Sequence, residues 1–244
     1  MSKIVNRTVD FFEVFAEQRK PLSLTELMKL LDIPLSSCHD VVHALEERGY
    51  LYEVKLRGGY YPTARLYNLG KAIVESDPVA TRALPVLDRL SSLLNASALL
   101  AKVEGLRATY LAVSLPADPL RFTVNVGSNV RNLYATSAGK ALLASLPPAE
   151  LKKVISELTL TPLTRSTITS KAKLVKDIQE GEARGYFVNR EESIEDALTM
   201  ATRFVWSEST YIITVASTLK RMERQFDATV KELLAAAKEL ASND

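Results

Sequence analysis

Residues 23–49, SLTELMKLLDIPLSSCHDVVHALEERG, contain two helical patterns separated by a short break at residues 32–34. The first pattern opens on Ser23, with Glu26 three residues later, a spacing at which each side chain can cap the backbone of the other. The second starts near Ser36 and ends at Gly49, because glycine readily adopts the left-handed conformation that ends helices. Two short helices joined by a tight turn are typical of a helix-turn-helix, whose second helix fits the major groove of DNA.

The flanking sequence extends this motif on both sides. Residues 4–18 repeat apolar residues at helical spacing, which predicts an amphipathic helix whose face is formed by Ile4, Val5, Val9, Phe12 and Phe15. Residues 50–66, YLYEVKLRGGYYPTARL, alternate around a pair of glycines and predict a β-hairpin. Helices followed by a hairpin describe a winged helix-turn-helix.

The DNA contacts expected of this unit come from three places. The second helix of the motif offers small hydroxyls, imidazoles and a carboxylate, the first helix offers one arginine, and two cations flank the wing tip; in that order they are Ser36, Ser37, His39, Asp40, His43, Arg7, Lys55 and Arg57. Residues 1–66 carry nine basic and nine acidic side chains, so the net charge of this segment gives no attraction to phosphate. DNA binding then depends on where the basic side chains lie. A small helical unit that binds only other proteins is the alternative, and it would not need the basic wing.

The segment HDVVH at residues 39–43 is close to the zinc-protease pattern H-E-x-x-H. Asp40 is one carbon shorter than the glutamate base of such sites, and His39 and His43 are the only two histidines in the chain. Cys38 lies about 100° around the helix from His39, so it is poorly directed to join them. We therefore expect no metal and no cofactor.

Size and composition place the chain among globular proteins. With 244 residues and 47% hydrophobic content, it can bury a full core and is expected to form two domains. No apolar run approaches the ~20 residues that span a bilayer, and residues 1–12 do not follow a signal-peptide pattern. Cys38 is the single cysteine, which suits a reducing compartment. We expect a cytoplasmic protein with no membrane partner.

Beyond the wing, the sequence predicts a helix over residues 63–76 and a second one that Asp77 and Pro78 restart. Three alternating segments follow at residues 97–105, 107–115 and 120–127, then helices at 147–158 and 170–186. Residues 197–206 and 210–218 flank a turn as a hairpin, and residues 221–241 form a last helix. Antiparallel strands with helices on their faces predict an α+β domain.

Residues 134–144, YATSAGKALLA, place Gly139 and Lys140 at the start of a helix, as nucleotide-binding loops do. The full phosphate loop needs a second glycine and a hydroxyl after the lysine, and neither is present. Thr136 or Ser137 can cap this helix, which leaves free N–H groups that suit any small anion, a carboxylate included. Lys140 is expected to extend to solvent.

These segments together resemble the IclR family of bacterial transcriptional regulators over nearly the whole chain. The matching segments are NRTVDFFEVFAE, IPLSSCHDVVHALEERGYL, VGSNVRNLYATSAGKALLASL with PPAEL after it, and GEARGYFVNREES. The resemblance implies a winged helix-turn-helix in residues 1–62, a linker helix in residues 63–76 and a GAF-like effector-binding domain in residues 77–244. It also implies homodimers, often paired into tetramers, that bind double-stranded operator DNA and respond to a small organic acid.

The family's effector contacts carry over to named positions. The resemblance implies that the backbone of Ser137 and Ala138 holds a carboxylate, with pocket residues at Asn189, Thr199, Val215 and Ser217, although the register of the last two can slip by one. Leu120 and Leu133 are expected to cover the apolar body of the effector. Arg131 either points inward and grips the carboxylate or lies in water at the rim.

Two positions depart from the family's pattern. Asp40 stands where the family commonly has arginine, so the operator sequence of relatives cannot be transferred, and Asp196 replaces the usual glycine.

We expect a regulator without catalytic activity. The alternative is an enzyme that acts on a small carboxylate in the C-terminal pocket. Against it stands the absence of a nucleophile–base pair, since both histidines lie in the N-terminal part of the sequence.

Overall fold

The computed structural model describes residues 3–54 and 59–242, which form two compact units, Met1–Glu75 and Ser76–Asp244. The described part of the first unit consists of helices and one hairpin. In chain order the elements are α1 (Lys3–Gln18), α2 (Leu24–Leu31), α3 (Leu35–Glu47), β1 (Leu51–Glu53), β2 (Tyr60–Pro62) and α4 (Ala64–Glu75). The helix-turn-helix and the hairpin after it are therefore as predicted.

Local capping sets the start of α2. The Ser23 hydroxyl accepts from the Glu26 N–H, and the Glu26 carboxylate accepts from the Ser23 N–H at 2.9 Å, which confirms the predicted capping box. The hydrogen bonds that the Glu26 carboxylate accepts from the Ser23 N–H, from Lys20 and from the Ser23 hydroxyl lower the pKa of Glu26 to about 2. The break between α2 and α3 contains Asp32 in the left-handed conformation, which ends α2.

The buried residues of the first unit differ from the apolar face that the sequence predicted for α1. Among the described side chains of α1, Phe11 and Phe15 are buried, whereas Val5 and Val9 are 59% and 51% exposed; the side chain of Ile4 lies outside the description. The predicted face was therefore rotated, since the two phenylalanines four residues apart bury more apolar area than the valines do. Cys38 of α3 is buried, and its thiol lies 3.6 Å from the Leu24 carbonyl, which joins α3 to α2. Burial raises the pKa of this thiol.

The hairpin packs back onto the break before α2. Tyr60 exchanges two backbone hydrogen bonds with Leu22, at 2.8 and 3.0 Å. A Cβ on Gly59 would lie 2.7 Å from the Leu22 carbonyl carbon, and Gly59 has a φ of +89°, so only glycine fits there. Lys55 and Arg57, the predicted wing-tip cations, lie outside the described residues.

The second unit is built on a five-stranded antiparallel sheet of order β4-β3-β7-β6-β5. Its elements are α5 (Pro78–Leu94), β3 (Ser97–Glu104), β4 (Arg107–Ser114), α6 (Ser137–Ala144), α7 (Pro148–Glu157), α8 (Lys171–Arg184), β5 (Phe187–Arg190), β6 (Ala197–Trp206), β7 (Ser209–Thr218), α9 (Leu219–Arg224) and α10 (Phe226–Ala241). This is the predicted α+β architecture, with N-terminal helix-turn-helix and C-terminal sheet domain.

Three details of this unit differ from the prediction. Residues 120–127 are not a strand, although Gly127 donates to the Tyr110 carbonyl at 2.8 Å. Phe187–Arg190 forms an edge strand. This strand was not predicted, because charged residues follow it directly in the sequence. The last helix is interrupted at Gln225, whose side chain donates to the Leu94 carbonyl at 2.7 Å.

Each face of the sheet is covered by a different set of helices. On one face, Val188, Met200 and Val215 pack against the buried sides of α5 and α10. On the other face, Phe187, Ala201 and Ile212 pack with apolar residues from α6, α7 and α8. Neighbouring residues on a strand point to opposite faces, so this alternation decides which polar side chains can meet α6. No described helix is long and apolar enough to cross a membrane.

Candidate functional site

The outward side of α3 carries four of the eight predicted DNA contacts. Ser36, His39, Asp40 and His43 are exposed, while Cys38, Val42 and Leu45 are buried against the core. His39 Nδ1 lies 4.0 Å from Asp40 Oδ1, and the two imidazole rings are 6.1 Å apart. The exposed side of the second helix of the motif therefore presents hydroxyl, imidazole and carboxylate groups together.

A groove borders this face on one side. Its volume is about 720 Å³, and it lies between α1, α3 and α4. Among the predicted contacts, Arg7, Ser37 and Asp40 line it, and Ser37 is half-buried rather than fully exposed. The structure thus brings Arg7 beside the exposed side of α3, with Ser37 turned toward the groove.

A second candidate site is the start of α6. Thr136 is the N-cap residue, and its hydroxyl accepts from the Gly139 N–H at 3.1 Å. The N–H groups of Ser137 and Ala138 are the first two of the helix, so they have no partner within it. Both residues are almost fully buried, at 1% and 2% exposure. Two backbone donors are therefore held at the positive end of a buried helix.

Glycine is required for this helix to reach its position. A Cβ on Gly139 would lie 2.4 Å from both the Cα and the carbonyl oxygen of Leu133. The helix therefore crosses the backbone of Leu133 at a distance that only glycine permits. The Gly-Lys pair of the sequence serves close packing rather than a phosphate loop.

Polar side chains from the sheet meet the start of α6. Ser137 Oγ lies 2.7 Å from Thr199 Oγ1, and Thr199 pairs with Asn189 across β5 and β6. Asn189 is fully buried; it donates to Ser193 Oγ at 2.9 Å and accepts from the Glu192 N–H at 2.7 Å. The structure thus brings together Ser137, Thr199 and Asn189 from the predicted effector residues.

Val215 and Ser217 lie on the other face of the sheet. Val215 packs with Met200, and Ser217 lies opposite Leu198, both of which belong to the core beneath α5 and α10. Ser217 Oγ accepts from Arg221 at 3.3 Å. The register is therefore shifted by one from the expected one, and Ala216 is the β7 residue that lies opposite Thr199.

The remaining predicted effector residues, Leu133, Leu120 and Arg131, are half-buried or exposed. Leu133 is half-buried and packs against the core beneath α6. Leu120 is 70% exposed in the irregular segment after β4. Arg131 is exposed as well, which corresponds to the rim position rather than the inward one.

The expectation for Lys140 was wrong. Its side chain is fully buried, and its Nζ lies 2.5 Å from Glu192 Oε1, 2.7 Å from Asp177 Oδ2 and 3.2 Å from the Val188 carbonyl oxygen. A buried ammonium needs such partners because desolvation of an unpaired charge is very costly. Lys140 therefore joins α6 to α8 and to the turn between β5 and β6, instead of extending to solvent.

Glu192 pairs with Lys140 through its side chain and stabilises the turn after β5 through its backbone. Burial raises the pKa of its carboxyl, and the nearby Lys140 ammonium lowers it less than burial raises it. The Glu192 carbonyl accepts from Thr167 Oγ1 at 2.6 Å, and the Glu192 N–H reaches Asn189. The ion cluster of Lys140, Asp177 and Glu192 is thereby linked directly to a predicted effector residue.

Family models cover both units of the chain. Residues 5–55 match the IclR helix-turn-helix domain, and residues 71–242 match the bacterial transcriptional regulator IclR C-terminal domain. The chain belongs to the IclR family. The IclR family is a family of transcriptional regulators, so the matching models support a DNA-binding helix-turn-helix with a C-terminal effector-binding domain.

Individual IclR relatives cover nearly all of the chain. The HTH-type transcriptional regulator BhcR of Paracoccus denitrificans is 27% identical over 242 residues, which are 98% of this chain and 86% of the relative. An IclR transcriptional regulator from Alicyclobacillus acidocaldarius has a similar structure, with a TM-score of 0.75, 21% identity and coverage of 99% and 98% of the two chains. An IclR homologue from Microbacterium hydrocarbonoxydans, solved with 4-hydroxybenzoate, has a TM-score of 0.75, 21% identity and 98% coverage of both chains.

Proposed function

We propose that this regulator binds operator DNA through the exposed side of α3 and changes that binding when a small monocarboxylic acid occupies the start of α6. The observation that carries the proposal is the buried pair of N–H donors at Ser137 and Ala138, next to the hydroxyls of Ser137 and Thr199. No catalytic step is assigned, because both histidines lie in the DNA-binding unit.

The charges at the site favour a carboxylate over a phosphate. Lys140 is held by two carboxylates, so its ammonium is not available to a ligand. What remains at the start of α6 is a helix dipole worth up to ~2 kcal/mol for an anion and two N–H groups, and hydrogen bonds to a charged group contribute about 1.5–3 kcal/mol each. One carboxylate has two oxygens for these two donors, whereas a nucleotide phosphate brings more charge than this site neutralises.

An aromatic acid is a suitable class of ligand. The IclR homologue solved with 4-hydroxybenzoate has the same fold as this chain, which supports the choice of benzoates as probes. Thr199 is half-buried and carries a hydroxyl, and Ala216 lies opposite it and carries only a methyl group. A flat ring at this place would therefore have one polar and one apolar neighbour. Benzoate and 4-hydroxybenzoate are therefore the probes with which we propose to test the site.

The DNA contacts divide into two kinds. Ser36, His39 and Asp40 lie at the start of α3, where side chains of a recognition helix reach base edges. Arg57 is proposed as a phosphate contact of the wing, on sequence grounds alone. Base contacts set sequence preference, whereas phosphate contacts add affinity for every sequence.

Substitutions should separate these two kinds of contact. We expect His39→Ala and Asp40→Ala to change the preferred base pair at one position each, by about 1–3 kcal/mol. Arg57→Ala should weaken binding to specific and random duplexes alike and reduce the slope of log K against log salt by about one. Fluorescence anisotropy on a set of single-base operator variants measures both effects. If all three variants bind specific and random DNA as the parent does, the helix-turn-helix is not the DNA-binding element.

A second copy of the chain is the proposed partner of α4. This helix of 12 residues has no fully buried residue, and Leu69 and Ile73 are 46% and 63% exposed. A helix of this length is marginal in water without packing. Val5 and Val9 of α1 add exposed apolar area in the same unit. Two copies would also present two recognition helices, as a two-fold symmetric operator requires.

We expect the double variant Leu69→Glu, Ile73→Glu to shift the protein toward smaller assemblies, because two carboxylates would be buried at the α4 contact. Sedimentation velocity at micromolar concentration should give a dimer or a dimer of dimers for the parent. The control is Asn68→Glu, which adds a charge on another side of α4 and should leave the assembly unchanged. A parent protein that sediments as a monomer contradicts the proposed dimer.

A further inference from the structure

The row of side chains that contains Thr199 continues across the sheet to Ser97, the first residue of β3. Ala216 of β7 lies opposite Thr199 on one side and opposite Ser97 on the other. Directly opposite residues of antiparallel strands point to the same face, so Thr199, Ala216 and Ser97 all face the α6 side. The proposed carboxylate site lies at the Thr199 end of this row, where Ser137 Oγ contacts Thr199 Oγ1.

Ser97 carries a hydroxyl that the described part of the chain leaves without a hydrogen-bond partner. The residue is fully buried, and its hydroxyl has no hydrogen-bond partner among the described residues. Leaving a buried hydroxyl unpaired costs about 1–3 kcal/mol, so such a group needs an explanation.

Two other buried hydroxyls without a hydrogen-bond partner among the described residues have a simpler explanation. Ser91 and Thr229 also have unpartnered buried hydroxyls, but they lie in α5 and α10. In a helix, rotation of the side chain brings a hydroxyl to the carbonyl four residues earlier. In a strand, the carbonyls lie in the plane of the sheet while the side chain stands perpendicular to it, so Ser97 has no equivalent partner nearby.

The spacing along the row matches a flat acid. Thr199 and Ser97 lie on strands that are separated by one other strand, and two spacings between neighbouring strands correspond to about 10 Å. Ala216 lies between them and contributes only a methyl group. An aromatic ring above Ala216 would direct a carboxylate on one end to the N–H groups of Ser137 and Ala138, and a polar substituent on the other end to Ser97.

We propose that Ser97 determines effector specificity, and that the effector is a monocarboxylic acid with a hydroxyl or carbonyl group at the end opposite its carboxylate. This inference rests on the proposed carboxylate site at the start of α6 and adds the chemistry of the other end of the ligand. A ligand without that second group leaves Ser97 unpaired, whereas a matching ligand satisfies it.

The test compares benzoate with 4-hydroxybenzoate, which differ only in the group proposed to meet Ser97. Calorimetry on the parent should show that 4-hydroxybenzoate binds about three- to tenfold more tightly, the effect of one neutral hydrogen bond. Ser97→Ala should remove this preference by weakening 4-hydroxybenzoate binding, while benzoate affinity stays within about twofold. Ser91→Ala removes another unpartnered buried hydroxyl, from α5, and should leave the preference intact.

The outcomes distinguish the two proposals. A parent preference that persists in Ser97→Ala overturns the role of Ser97 but leaves the carboxylate site standing, and so does a parent that binds both acids equally. A parent that binds neither acid overturns the carboxylate site and, with it, the role of Ser97. Thermal unfolding of each variant without ligand shows whether the fold is retained, which is expected because serine and alanine differ by one buried atom.

Discussion

Replacing Ser137 with proline is expected to weaken binding of a monocarboxylic acid by about ten- to a hundredfold while leaving α6 in place. Proline is favoured at the first position of a helix, where its missing N–H has no partner within the helix. Thr136 before it has φ −123° and ψ 145°, the extended conformation that a residue preceding proline adopts. The variant therefore removes one of the two proposed donors, together with the hydroxyl, at a position that accepts proline.

Two matched variants separate the donor from other effects. Ser137→Ala loses the hydroxyl that contacts Thr199 but keeps the N–H, so its loss of affinity should be smaller. Arg131→Ala changes an exposed residue and should bind the acid within about twofold of the parent. Calorimetry with benzoate and 4-hydroxybenzoate measures all three. Acid binding that is unchanged in Ser137→Pro would mean that the start of α6 does not hold the carboxylate.

Removing the buried ammonium of Lys140 should have the largest effect on stability. We expect Lys140→Met to lower the free energy of unfolding by about 3–5 kcal/mol, the usual cost of breaking a buried ion pair. The reason is that Asp177 and Glu192 would then face each other without the cation, and Glu192 is already mostly buried. Methionine fills a similar volume, so loss of charge rather than loss of packing dominates.

Denaturation in urea, followed by circular dichroism, gives the free energy of unfolding for each variant. Lys176→Met is the control, because Lys176 lies on α8 in an exposed pair with Glu180 and should change stability by less than about 0.5 kcal/mol. Adding Glu192→Gln to Lys140→Met removes one of the two uncompensated charges and should restore part of the loss. If Lys140→Met unfolds with the parent's free energy, the cluster of Lys140, Asp177 and Glu192 does not join these elements as described.

Local patterns in the sequence were sufficient for much of the fold. The helix-turn-helix follows from the capping box at Ser23 and Glu26, from the helical spacing of apolar residues and from the glycine after α3, all of which act within a few residues of each other. The hairpin of β6 and β7 is equally local, since both strands alternate on either side of a short turn. Interactions of this range are visible in the order of residues alone.

The direction of single side chains in the site was less accessible. Lys140 turns inward because its partners come from α8 and from the turn after β5, far along the chain, and nothing near residue 140 indicates them. Val215 and Ser217 were assigned to the α6 face through a register that is one residue off, and in a strand one residue exchanges the two faces. Ser97 gave no signal, since a single serine at the start of a strand is common on surfaces as well.

We propose that this chain binds a specific operator and that an acid in its C-terminal unit alters that binding. The most direct measurement is fluorescence anisotropy of the full chain on duplex DNA from immediately upstream of its own coding sequence, against a random duplex of equal length, over a range of salt and with or without 4-hydroxybenzoate. We predict at least about a thousandfold preference for the upstream duplex, affinity that falls as salt rises, and a shift in operator affinity on addition of the acid. Equal affinity for both duplexes at every salt concentration, with or without the acid, would contradict the account.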